Sequence, residues 1–99
     1  MTVKDFEPHF WFFIQNENDY YLDVNCSYSA FGFTRLIKLT ATEIEDYNNY
    51  GKTFLNSLAN DIQYHALTKY LERNITGTIA SLTTKAILKF NEQNNFNKL

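Results

Sequence analysis

The chain has 99 residues, enough for one domain and too few for two. Hydrophobic residues make up 44% and charged residues 20%, which excludes a disordered segment. The net charge of −2 disfavours a dedicated nucleic-acid binder, and a single cysteine excludes an internally cross-linked secreted scaffold.

Phe10-Trp11-Phe12-Phe13-Ile14 is an aromatic and β-branched run between Pro8 and the turn-forming Asn16-Glu17-Asn18-Asp19. It predicts a strand over about 10–15. Tyr20, Leu22, Val24, Cys26 and Tyr28 then alternate with Tyr21, Asp23, Asn25, Ser27 and Ser29, the signature of a half-buried antiparallel strand over about 20–28. After an expected turn at Ala30-Phe31-Gly32, Phe33, Arg35, Ile37 and Leu39 alternate with Thr34, Leu36 and Lys38. That is a third strand over about 33–39, and the three form a meander.

At Thr40 the period changes. Thr40-Ala41-Thr42-Glu43 is a capping box, in which hydroxyl and carboxylate satisfy each other's backbone amides. Ile44, Tyr47, Gly51, Phe54, Leu55, Leu58, Ala59 and Ile62 follow at spacings of three and four, predicting an amphipathic helix over about 41–63. Gly51 falls on its apolar seam, at roughly 1 kcal/mol in helix propensity. It marks either a close approach to a neighbour or a break into two shorter helices. Residues 64–76 read equally as helix or strand. Ile79, Leu82, Ala86, Ile87 and Phe90 mark a last helix over about 78–92, and the polar tail beyond it is expected to fray. The expectation is one α+β domain spanning 1–99, an N-terminal antiparallel meander of three or more strands packed on two or three C-terminal helices.

His9 and His65 lack metal-ligand spacing, Cys26 has no partner nearby, and no phosphate-binding or nucleophile motif is present. No catalytic, metal or cofactor residue is assigned, and an enzyme is not expected. The first residues lack the apolar core of a signal peptide. The longest apolar run, Phe10 to Ile14, falls far short of the ~20 residues that span a bilayer. A cytoplasmic protein is expected, with no membrane partner.

Aromatic residues make up 17% of the chain, nine Phe, seven Tyr and one Trp. In the first strand Phe10, Phe12 and Ile14 face one way, and Trp11 and Phe13 the other. Sorted by period, Trp11, Phe13, Tyr21, Tyr50 and Tyr64 have no assured place in a single core. Aromatic side chains are enriched where interfaces carry energy, and Asp19, Asp23, Glu43, Glu45 and Asp46 would give them an acidic rim suited to a basic partner. For Trp11 and Phe13, a place in the core under the last helix is the bland alternative. Residues 1–50 carry eight acids against three bases and residues 51–99 three against six, so the halves either neutralise each other or form two faces.

Tyr21-Leu22-Asp23-Val24, Leu39-Thr40-Ala41-Thr42-Glu43 and the series Tyr47, Gly51, Leu55, Leu58-Ala59 and Ile62 together carry a resemblance. This stretch, roughly residues 20 to 62, resembles small immunity proteins of bacterial toxin–immunity systems, including those of contact-dependent growth inhibition. The resemblance implies a cytoplasmic non-enzyme that binds the C-terminal toxin domain of a cognate effector and covers its active site. Toxins of this type are often nucleases with basic sites, which acids such as Asp19, Asp23, Glu43, Glu45 and Asp46 would face. Two other classes remain open: a homodimeric structural or regulatory protein, and a small nucleic-acid binder gathering Lys52, Lys69, Arg73, Lys85 and Lys89 on one face.

Overall fold

A computed structural model describes the backbone of residues 1–28 and 31–94 and the side chains of 1–26 and 32–94. It opens with a strand that the sequence pattern conceals. β1 (Thr2–Glu7) pairs antiparallel with β2 (Trp11–Asn16), and its register shifts between Val3 and Asp5. Val3 therefore lies opposite Ile14 and Phe6 opposite Phe12, on one face although three residues apart. A bulge of this kind erases the alternation by which a strand is recognised.

The three expected strands are present as β2, β3 (Asp19–Tyr28) and β4 (Phe31–Lys38). With β1 they make a four-stranded antiparallel meander in the order β1-β2-β3-β4. Of the turn expected at Ala30-Phe31-Gly32, Phe31 and Gly32 instead open β4, and residues 91–94, expected to fray, belong to a helix. Ala30, the side chain of Tyr28 and residues 95–99 lie outside the described residues. The domain is α+β as expected, with helices on both faces of the sheet.

One face carries Trp11, Phe13, Leu22, Val24, Cys26, Ile37 and Leu39. It is covered by α1 (Ala41–Tyr50), through Ile44 and Tyr47, and by α2 (Lys52–Tyr64), through Leu55, Leu58, Ala59 and Ile62. The opposite face carries Phe12, Ile14, Tyr21 and Leu36 under Ile79, Ala80 and Ile87 of α3 (Thr78–Asn94). Trp11 and Phe13 are thus core residues, but under α1 and α2 rather than under the last helix. Burial of each such ring contributes roughly 1.5–3 kcal/mol.

The capping box forms as expected: Glu43 donates its amide to the Thr40 hydroxyl at 3.2 Å, and Thr40 donates its amide to the Glu43 carboxylate at 2.8 Å. At Gly51 the helix breaks in two, the second of the two alternatives. Its amide still closes α1 on the Tyr47 carbonyl at 2.7 Å, but its backbone turns to φ 61°, ψ −138°. A Cβ placed there would meet nothing within 4 Å, so backbone conformation and not close approach explains this glycine.

Residues 65–74 form neither helix nor strand but a string of turns, closed by bonds such as Thr68 amide to His65 carbonyl and Leu71 amide to Thr68 carbonyl. The chain then passes round the β4 edge to the second face. There the Ile75 amide donates to the Leu36 carbonyl at 2.8 Å, and the Leu36 amide to Asn74 Oδ1 at 3.1 Å. These bonds occupy groups that an edge strand would otherwise offer to another chain.

Gly51→Ala is expected to destabilise the chain by about 1–3 kcal/mol in urea unfolding, through strain alone. A cost below about 0.5 kcal/mol would show that the junction relaxes into ordinary helix.

Candidate functional site

The ten residues expected at an interface separate into three groups. Trp11, Phe13 and Tyr21 are 1%, 0% and 4% exposed, which corrects the expectation that their rings reach a partner. For Trp11 and Phe13 the reason is cover by α1 and α2, and for Tyr21 it is a second helical layer, since the face that alternation marks as the solvent side of β3 is covered by α3. Trp11 donates its indole N–H to Asn56 Oδ1 at 2.9 Å and lies under the Lys52 ammonium, 5.6 Å from the ring centroid. Phe13 stacks on Tyr20 and meets Tyr47 at 4.5 Å between centroids.

The acids do not form one rim. Asp19 lies at the β2–β3 turn and pairs with Lys38 at 3.3 Å. Glu43 receives the Arg73 guanidinium at 2.6 and 3.0 Å, and Arg73 also donates to the Lys38 carbonyl at 3.0 Å. Glu45 is exposed and Asp46 half-buried on α1, while Asp23 is on the far side of the sheet, under α3. Tyr50 and Tyr64 are exposed, at 68% and 81%. Tyr64 stands about 18 Å along α2 from the Gly51 junction where Tyr50 lies.

Two arrangements on the molecule escaped the sequence. The first is a polar clamp that fixes the turn segment. Asp61 on α2 accepts from Lys69 at 2.8 Å and from the buried Tyr70 phenol, and the Lys69 and Arg73 cations both lie over the Tyr70 ring. Hydrogen bonds from Lys69 and Tyr70 hold the Asp61 carboxyl below its ordinary range. Burial and the bond to Asp61 push the Tyr70 phenol up to about 12. Partial burial would raise Glu43, but bonds from Arg73 and Thr40 outweigh it and lower the carboxyl. The clamp leaves Leu67 and Leu71 outside, 55% and 52% exposed, close after Tyr64.

The second arrangement surrounds Asp23. Its row across the sheet is Phe12, Asp23 and Leu36, all facing α3. A cavity of about 110 Å³ is lined by Asp23, Thr34, Leu36, Asn74, Ile75, Ala80, Thr83 and Thr84. A second, of about 230 Å³, shares Asp23 and Thr34 and extends to His9, Phe10, Asn25 and Ile87. Burial pushes the Asp23 carboxyl up to about 6. Sequence alternation placed Asp23 among solvent-facing groups, and the one hint otherwise was apolar Leu36 on the same face of the next strand.

The five bases of the nucleic-acid alternative do not share a face. Lys52, Lys69 and Arg73 sit on the α1–α2 side, and Lys85 and Lys89 on α3 at the other side of the sheet. Lys52 is held by Glu7 at 3.1 Å and by the Phe6 carbonyl at 3.0 Å. No group of His, Cys, Asp and Glu that could hold a metal, and no helix long and apolar enough to cross a membrane, occurs among the described residues. The chain matches no family model, no curated protein and no solved structure.

Arg73→Met and Glu43→Gln, made singly and together, are expected to show a coupling of about 1 kcal/mol in urea unfolding. Zero coupling would make the pair a contact without energetic weight. For Asp23, the folded value near 6 lies above the ordinary 3.8. The folded chain therefore takes up a proton before the unfolded chain does, and this group's contribution rises as pH falls. Between pH 7.5 and 5 the native chain is expected to gain about 1.5 kcal/mol relative to Asp23→Asn. The difference between the two proteins cancels every other titrating group, and parallel pH profiles would refute it.

Proposed function

We propose that this chain is a non-enzymatic protein-binding module, acting in the cytoplasm as an immunity protein that covers the active site of a cognate toxin domain. The observation that carries the reading is the exposed apolar group Tyr64, Leu67 and Leu71 at the end of α2 and in the turns beyond it. Large apolar side chains held in water are what a partner surface buries, and here the clamp of Asp61, Lys69, Tyr70 and Arg73 fixes the segment that presents them.

Charge supports a basic partner. On this helical layer Lys52, Lys69 and Arg73 are each engaged by an acid, whereas Glu45, Asp46 and Glu72 enter no ion pair among the described residues. Those acids, with Tyr50, suit a positively charged surface such as the site of a nuclease toxin. The resemblance over residues 20 to 62 supports the same class of partner.

Co-expression with the adjacent upstream reading frame tests the proposal. The expected result is a stable complex with a toxin-like domain. Tyr64→Ala, Leu67→Ala and Leu71→Ala should each weaken it about tenfold, while stability changes by no more than about 0.5 kcal/mol. The reading fails if that frame encodes no toxin-like domain or if no complex survives purification. A dimer of the chain alone in sedimentation would favour the homodimeric alternative instead.

A further inference from the structure

α3 crosses the sheet on a diagonal. It enters beside Leu36, where Ile75 is bonded, and ends over Phe6 and Phe12, against which Phe90 packs at 5.3 and 6.1 Å between centroids. The diagonal leaves the Asp23, Asn25 and Thr34 side of β3 and β4 incompletely covered, and the two cavities that share Asp23 and Thr34 lie there.

The lining of this trough offers acceptors at Asp23, Asn25 and Thr34, and donors at Asn74 Nδ2, whose Oδ1 is taken by the Leu36 amide, and at the His9 imidazole. Asp23 is engaged by no ion pair or side-chain hydrogen bond among the described residues, and no Lys or Arg lines either cavity. The Thr83 and Thr84 hydroxyls already spend their protons, on Met1 Sδ at 3.5 Å and on the Ala80 carbonyl at 3.1 Å. Asn25 donates through Nδ2 to the His9 carbonyl at 3.1 Å, which leaves its Oδ1 as an acceptor. A partly buried carboxylate without an ion pair lacks a fixed counter-ion, and desolvation makes that lack costly. A lone carboxylate is a poor set for Ca²⁺, which takes six to eight oxygens. The wider cavity, about 230 Å³, is also smaller than the roughly 300–1,000 Å³ that hold drug-sized ligands.

We propose that the trough beneath α3 binds an ammonium or guanidinium group, with Asp23 as its counter-ion and Asn25 and Thr34 as flanking acceptors. A basic side chain of a protein and a free alkylamine share this chemistry. The trough opens on the opposite side of the sheet from Tyr64 and Leu71, so it goes beyond the partner surface proposed above and does not depend on it.

The test uses the isolated chain at pH 7.5, with the side-chain carboxyl of Asp23 followed by NMR. Methylguanidinium and methylammonium are the free probes, arginine capped at both ends represents a protein side chain, and methylurea is the neutral control. The expected result is a saturable shift at Asp23, Asn25 and Thr34 with at least one cation and none with methylurea. At saturation the Asp23 titration midpoint should fall by about one unit, as an opposite charge demands. Asp23→Asn keeps the shape while removing a buried charge, and should weaken binding at least tenfold. Thr34→Val, which leaves the charge in place, should weaken it several-fold. Tighter binding of capped arginine than of the free probes assigns the site to a protein side chain, and the reverse order assigns it to a small amine. Absence of any saturable shift, equal binding by methylurea, or unchanged binding to Asp23→Asn overturns the proposal. Each of these outcomes is independent of whether a toxin complex forms.

Discussion

β2 is apolar on both of its faces, and the rest of the architecture answers that constraint. Trp11 and Phe13 point to one side of the sheet, and Phe12 and Ile14 to the other. A meander with helices on one side would leave half of this strand in water, at a cost of roughly 1.5–3 kcal/mol for each large side chain. Helices must therefore lie on both faces, which makes the domain three layers deep. Two layers of helix in turn require the chain to change sides once after the sheet is complete. It does so round β4, where Asn74 and Ile75 bond the Leu36 backbone, so the crossing also shields an edge strand.

The crossing has little backbone ladder of its own, and side chains hold it instead. Arg73 reaches both Glu43 and the Lys38 carbonyl, while Tyr70 and Lys69 meet on Asp61. Glu43 already completes the Thr40 cap, so the start of α1 and the crossing share one carboxylate. The uneven halves of the sequence are explained in the same way. Acidic residues 5, 7 and 43 from the first half meet Lys52 and Arg73 from the second, so part of the charge is neutralised between halves on this side, while Glu45 and Asp46 enter no ion pair among the described residues. Lys85 and Lys89, on α3, remain at the surface.

Those elements that rest on a local rule could be read from the sequence. Alternation from Tyr20 to Cys26 and the Thr40–Glu43 capping box depend only on neighbours in the chain, and both are present. Elements that rest on an exception were concealed. The bulge in β1 places Val3 and Phe6 on one face against the strand period, and the backbone at Gly51 stops a helix whose side-chain pattern runs on. Asp23 was misplaced for a different reason. Alternation separates the two faces of a strand, but it does not say what covers each of them. Only a second strand carrying Leu36 on the same face, and a helix with Ile79, Ala80 and Ile87 to meet it, turn a solvent face into an interior one.

The aromatic content has the same origin. Three layers in so short a chain give two thin cores, each with room for few residues, and a ring that buries 150–250 Å² fills such a core with the fewest. Phe13, Tyr20 and Tyr47 do this on the α1–α2 side, and Phe6, Phe12 and Phe90 on the α3 side. Ring count is therefore a demand of the layering and gives no measure of how much surface awaits a partner. Position does. Leu67 and Leu71 occupy no core, although the segment that holds them is clamped in place by a charge network. On the function proposed above, a partner that buries these leucines and Tyr64 benefits from finding them already held outward by the clamp.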